Sequence, residues 1–135
     1  MARNGFNEAA RRNAAGVEAV EGLLAYAQTQ ARGTFGRGAV RSAREAVAIS
    51  RQLAARDPTE FIPLLSRSLC VHARLLKRRP AEALPIAEEA VMLTRAIGGG
   101  PLVLALSCLA DVLTALGRHG EAEAAIAEAD KAARG

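Results

Sequence analysis

At 135 residues the chain is long enough for one domain with a core of several helices. Its charge of +4 and pI near 9.8 allow an acidic partner, but with 3% aromatic residues and no Trp it nearly lacks the stacking platforms of nucleic-acid binders, so nucleic acid is disfavoured. No run approaches the ~18 uninterrupted apolar residues of a membrane span, and Met1–Ala15 carries Arg3, Arg11 and Arg12 without the apolar core of a signal peptide, which predicts a cytoplasmic protein with no membrane partner.

Residues 1–7 are polar and read as a frayed terminus; 8–135 reads as a single helical domain. From Glu8, the residues Val17, Val20, Leu24, Ala27 and Ala31 recur at helical steps and predict a first helix, despite Gly16 and Gly22. Gly33, Gly36 and Gly38 mark a turn around Phe35. A second helix is predicted over about 39–55, with Val40, Ala43, Ala46 and Val47 inward. Asp57-Pro58-Thr59-Glu60 then offers a capping carboxylate, a proline at the first helical position and a glutamate at the third. Pro63 leaves two readings of the third helix, a start near Ile62 or a kink there.

Leu65, Leu69, Cys70 or His72, Ala73 and Leu76 carry that helix to Lys77. After Arg78-Arg79-Pro80, a fourth helix holds Ala83, Leu84, Ala87, Ala90, Val91 and Met92, and Gly98-Gly99-Gly100 ends it. Pro101 opens a fifth helix whose stretch from Leu102 to Leu116 is the most apolar of the chain and is expected to be the best buried. Gly117 and Gly120 bracket the last turn, which contains His119, and Glu121–Ala133 forms a polar, alanine-rich sixth helix. The expected pairs are 8–55, 58–97 and 101–133. Cys70 and Cys108 each lie in an apolar helical run, the setting of reduced core thiols.

The even-numbered helices repeat a pattern. Alanines stand seven apart at Ala39 and Ala46, Ala83 and Ala90, and Ala122 and Ala129, with Glu45, Glu89 and Glu128 before the second alanine. A step of seven returns to nearly the same helix face, so each pair marks a stripe of close contact. The second alanine moves from 46 to 90 to 129, steps of 44 and 39 residues. The clearest copy runs from Leu116 to Ala129, a weaker one covers Leu76–Ala90, and the faintest Phe35–Ala46.

The turn Leu116-Gly117, with Glu121-Ala122 and Glu128-Ala129, resembles the helix-turn-helix of tetratricopeptide repeats, specifically the long-repeat type common in high-GC bacteria. The Asp57–Leu65 stretch is similar to the lengthened first helices of such arrays. Leu76, Glu82-Ala83 and Glu89-Ala90 match with Lys77 in place of glycine, and the usual aromatic positions are unfilled. The resemblance implies an all-α, TPR-like solenoid of antiparallel helix pairs, about six helices in three pairs. It also implies a non-catalytic protein-interaction module or scaffold, holding a partner in a concave groove lined by the first helix of each pair.

Matching Leu76 to Leu116 places Arg74 and Arg78 in one row of that groove. Asp111, Thr114 and Arg118 fall in the next, with Arg67 and Ser107 one turn earlier. Arginines there favour an acidic peptide or a terminal carboxylate, although the family's carboxylate-clamp asparagines are absent. Two rival readings are a nucleic-acid binder using Arg3, Arg11, Arg12 and the Arg32–Arg56 face, and a homo-oligomer formed through open array ends.

Chemistry finds no foothold in the sequence. There is no Walker loop, and Gly33–Gly38 reads as a flexible turn. His72 and His119 have no partner at metal-ligand spacing, and Ser66, Ser68 and Ser107 lack a nucleophile-elbow context. No enzyme, cofactor or metal is expected.

Overall fold

The computed structural model describes residues 2–31 and 36–135, with side chains from Asn7 onward. The turn centre at Gly33 and Phe35, the start of the faintest repeat copy, Arg32 and the Arg3 side chain lie outside the described residues. Six α-helices follow in order: α1 (Ala2–Gln30), α2 (Arg37–Arg56), α3 (Pro58–Leu75), α4 (Pro80–Thr94), α5 (Gly99–Ala115) and α6 (His119–Arg134). No strand occurs among the described residues. No helix is long and apolar enough to cross a membrane among them.

Helix starts and stops follow from identifiable residues. Asp57 caps α3, its Oδ1 accepting from the Glu60 backbone N–H at 3.2 Å, with Pro58 in the first turn. Pro63 therefore lies inside a helix that begins at Pro58, and a start near Ile62 is excluded. α4 repeats the arrangement with Pro80 at its start and Pro85 five residues on. α5 begins at Gly99, two residues before Pro101, and α6 begins at His119, so that histidine is the first helical residue rather than a turn residue. α1 begins at Ala2, taking the polar residues before Glu8 within its bounds.

Gly117 adopts φ of 76° and closes α5 in a Schellman arrangement. Its N–H donates to Thr114 O at 3.0 Å, and the Arg118 N–H donates to Leu113 O at 2.9 Å. In the earlier copy, where Lys77 replaces the glycine, α3 stops without positive φ. There Leu76 N–H donates to Ala73 O at 3.1 Å and Arg79 N–H to Leu76 O at 2.8 Å, a tighter turn.

Each helix packs on the next, and beyond these neighbours α1 packs on α3 and α3 on α5. The odd helices thus form a row, while α2 lies against α1 and α3, α4 against α3 and α5, and α6 against α5. α3 touches α1, α2, α4 and α5 and is the most surrounded helix; α5, for all its apolarity, keeps Val103, Leu104 and Leu109 only partly buried. All six alanines of the three pairs are buried, as a close-contact stripe requires. Gly16 serves the same end, since a Cβ there would stand 3.1 Å from Leu53 Cδ2. Gly22 faces open space, and nothing in the structure explains it.

The even helices do not pack on one another; long ion pairs bridge them instead. Arg51 of α2 reaches Glu89 of α4 at 2.6 and 3.2 Å, and Arg95 after α4 pairs with Glu128 of α6. Each link joins the arginine six residues after one copy's glutamate to the glutamate of the next copy. Arg134 occupies the same register in α6, and neither it nor Glu45, the corresponding carboxylate in α2, makes an ion pair among the described residues. Between layers, the Ser50 and Ser68 hydroxyls share a buried hydrogen bond of 3.0 Å, and Ser68 also donates to Leu64 O at 2.9 Å. Ser66 donates to Ala90 O at 3.5 Å.

Candidate functional site: a basic cleft beside the odd-helix row

The sequence-predicted groove residues separate into three places. Arg67 and Arg74, seven residues apart, share one face of α3, and Ser107, Asp111 and Thr114 share one face of α5. Arg67 is committed to a salt bridge with Glu21 of α1, so its charge is compensated within the odd row. Glu21 was invisible to a groove argument because it stands 46 residues earlier in the chain. The hydroxyls of Ser107 and Thr114 donate to their own helix, to Val103 O at 2.9 Å and Ala110 O at 2.8 Å. Asp111 is exposed and unpaired among the described residues. Arg118 holds Glu121 at 2.6 and 2.9 Å, and its guanidinium keeps that carboxyl below the usual carboxylate range.

Arg74 and Arg78 fare differently. They come together in a cleft of about 870 Å³ between the start of α2 and the end of α3. Its other cations are Arg37, Arg41 and Arg44 from α2 and Lys77 and Arg79 from the turn before α4; no carboxylate lines it among the described residues. Val40, Leu75 and Leu76 supply apolar wall. Arg79 reaches Glu82 at 3.8 Å, and the remaining cations of the cleft pair with no carboxylate among the described residues.

This concentration of charge opposes folding. Arg37, Arg41 and Arg44 follow steps of four and three on one face of α2, where like charges repel. Arg37 opens α2, and Gly36 before it gives no side-chain cap, so a cation sits at the positive end of the helix. By contrast α3, α4 and α6 carry Glu60, Glu82 and Glu121 in their first turns. The field reaches inward as well: burial, and then the Arg44 charge, hold the half-buried His72 imidazole below its ordinary range. Each arginine was legible in the sequence as part of a basic α2 surface. Their convergence with Arg74 and Arg78 was not, because α2 and the end of α3 are brought together by packing.

Among the described residues no second cluster of reactive groups occurs. The two cysteines are buried and unlinked, with Cys108 Sγ 3.8 Å from Cys70 O. The hydrogen bond to Cys108, followed by burial, pushes the Cys70 thiol up, away from the reactive thiolate. Among the described residues no three His, Cys, Asp or Glu side chains stand close enough to share a metal ion. A more open depression of about 470 Å³ crosses the odd row near the start of α3, walled by Val17, Phe61, Pro63, Leu64, Pro101 and Leu104. Compared with protein-family models, with curated proteins and with solved structures, the chain matches none of them.

Proposed function

We propose that this chain is a non-catalytic protein-interaction module. In this reading it is a tetratricopeptide-like solenoid of three helix pairs, and it takes an acidic segment of a partner protein into the basic cleft. The observation that carries the proposal is the set of uncompensated cations at the junction of α2 and α3. Guanidinium forks there offer paired, charge-assisted hydrogen bonds to carboxylates. The alternation of neighbours supports the solenoid reading, because odd helices in a row with even helices outside is what stacked pairs require. The apolar depression beside Phe61, near the opposite end of α3, would take an apolar part of the same partner.

The test is a binding measurement with glutamate-rich peptides on the wild type and on Arg74→Glu/Arg78→Glu. Reversal of two cleft charges is expected to weaken binding at least ten-fold at low salt. Unchanged affinity in the variant would remove the cleft from the interaction. The arginine row of α2 also suits a nucleic-acid backbone, a reading that demands a steep fall of affinity with salt for DNA or RNA.

A further inference from the structure

The count and spacing of charges in the cleft say more about the ligand than that it is acidic. Arg37 to Arg44 spans seven residues of helix, about 10.5 Å at 1.5 Å per residue. An extended peptide covers that length in about three residues, with side chains alternating between faces, so about two carboxylates can point into the cleft together. Two single charges leave most of the unpaired cations uncompensated. A phosphate monoester brings nearly two charges and three acceptor oxygens to the same spacing. Most of the cations are arginines, whose planar forks match phosphate oxygens two at a time. The first turn of α2, whose N-cap Gly36 offers no side-chain cap, adds backbone N–H donors at the mouth of the cleft.

We infer that the cleft is a site for a ligand presenting at least two phosphate groups within about 10 Å of each other. Arg37, Arg41 and Arg44 hold one side of it, and Arg74, Lys77 and Arg78 the other. The inference rests on the reading of the cleft as an anion site and narrows its ligand. The phosphates can belong to a doubly phosphorylated segment of a partner protein or to a free polyphosphate; the chemistry recognised is the same.

Calorimetric titration of the full chain separates these sources. The probes are a peptide with two phosphoserines two residues apart, the same peptide with glutamates in their place, inorganic tripolyphosphate, and a single-stranded oligonucleotide. The phosphopeptide and tripolyphosphate are expected to bind at least ten-fold more tightly than the glutamate peptide. Both should lose at least ten-fold in Arg41→Gln/Arg44→Gln, while Arg11→Gln/Arg12→Gln, on the exposed start of α1, leaves them unchanged. Tripolyphosphate should also raise the thermal midpoint of the wild type more than that of the cleft variant.

Equal binding of the glutamate peptide, the phosphopeptide and tripolyphosphate would overturn the inference and leave the acidic-segment reading standing. Tight tripolyphosphate with a phosphopeptide no better than its glutamate counterpart would uphold the phosphate site and remove the partner-protein reading. Failure of all probes would overturn both. Equal losses in the α1 variant, or tightest binding of the oligonucleotide, would overturn the inference in favour of general attraction or of nucleic acid.

Discussion

α4 and α6 carry the same alanine stripe, yet their outer registers differ: α4 packs on both α3 and α5, whereas, among the described residues, α6 packs on α5 alone. Ala87 of α4 is 0% exposed, as is Ala43 of α2; the matching Ile126 of α6 is 49% exposed. Val47 and Val91 are buried where α6 has the exposed Asp130, and the buried Ser50 and Thr94 correspond to the exposed Ala133. Leu84 is partly buried where α6 has Glu123, which is exposed. The first alanine stripe packs each even helix on its own partner, and this second stripe receives the helix that comes next. In α6 the second stripe is partly acidic, with Glu123 and Asp130 exposed, so this face is compatible with water.

The largest test of this contrast moves the terminal residue into the covered register. Val91→Asp buries a carboxylate without a partner and is expected to cost about 3 kcal/mol or more, read from denaturant midpoints. The reciprocal Asp130→Val should leave the monomer's stability within about 0.5 kcal/mol. It should also promote concentration-dependent association in sedimentation, since it enlarges an exposed apolar patch around Ile126.

A smaller effect is expected from size alone. Ala87→Ile forces a side chain into a filled contact and should cost about 1–3 kcal/mol, while Ile126→Ala should cost less than about 0.5 kcal/mol. A loss of 2 kcal/mol or more in Ile126→Ala would mean that α6 is covered in solution, as in a homo-oligomer.

The ion-pair bridges rank lower. Arg51→Ala and Arg95→Ala remove exposed links between even helices and should each cost about 0.2–1 kcal/mol, less at high salt. Arg134→Ala, in the same register without an ion-pair partner, should cost nothing measurable in unfolding experiments.

The smallest effect is a pH slope from the half-buried His72 of α3, which feels the charge of Arg44 on α2. Its folded pKa is lowered, so the unfolded chain takes up the proton first. Stability is expected to be full above the ordinary histidine pKa of about 6.5 and to fall as pH drops through it. His72→Gln should flatten that part of the curve. Neutralising Arg44 with a bound anion should raise the His72 pKa toward its ordinary range, which histidine NMR titration would detect.

Several of these features were legible before folding. The alanine pairs named the buried stripe of every even helix, Asp57 named a cap, and Leu116-Gly117 named a helix stop, because each depends on residues within two turns of chain. Pro63 was undecidable, since its missing N–H costs a hydrogen bond if the helix begins at Pro58 and none if it begins near Ile62, while Asp57 offers a cap for the longer helix; the structure has that cap and the longer helix. Arg67 read as a free groove donor until α1 supplied Glu21. Arg37, Arg41 and Arg44 read as a solvated surface until α3 brought its own cations to them.

By itself, then, the sequence determined how many helices form, in what order, and which faces present small side chains, since capping, glycine conformation and apolar period are local properties of the chain. Tertiary structure alone decided which charges are compensated and which are left facing one another. Charge pairing depends on distance in space, and the arginines of the cleft come from segments joined only by the packing of α2 on α3.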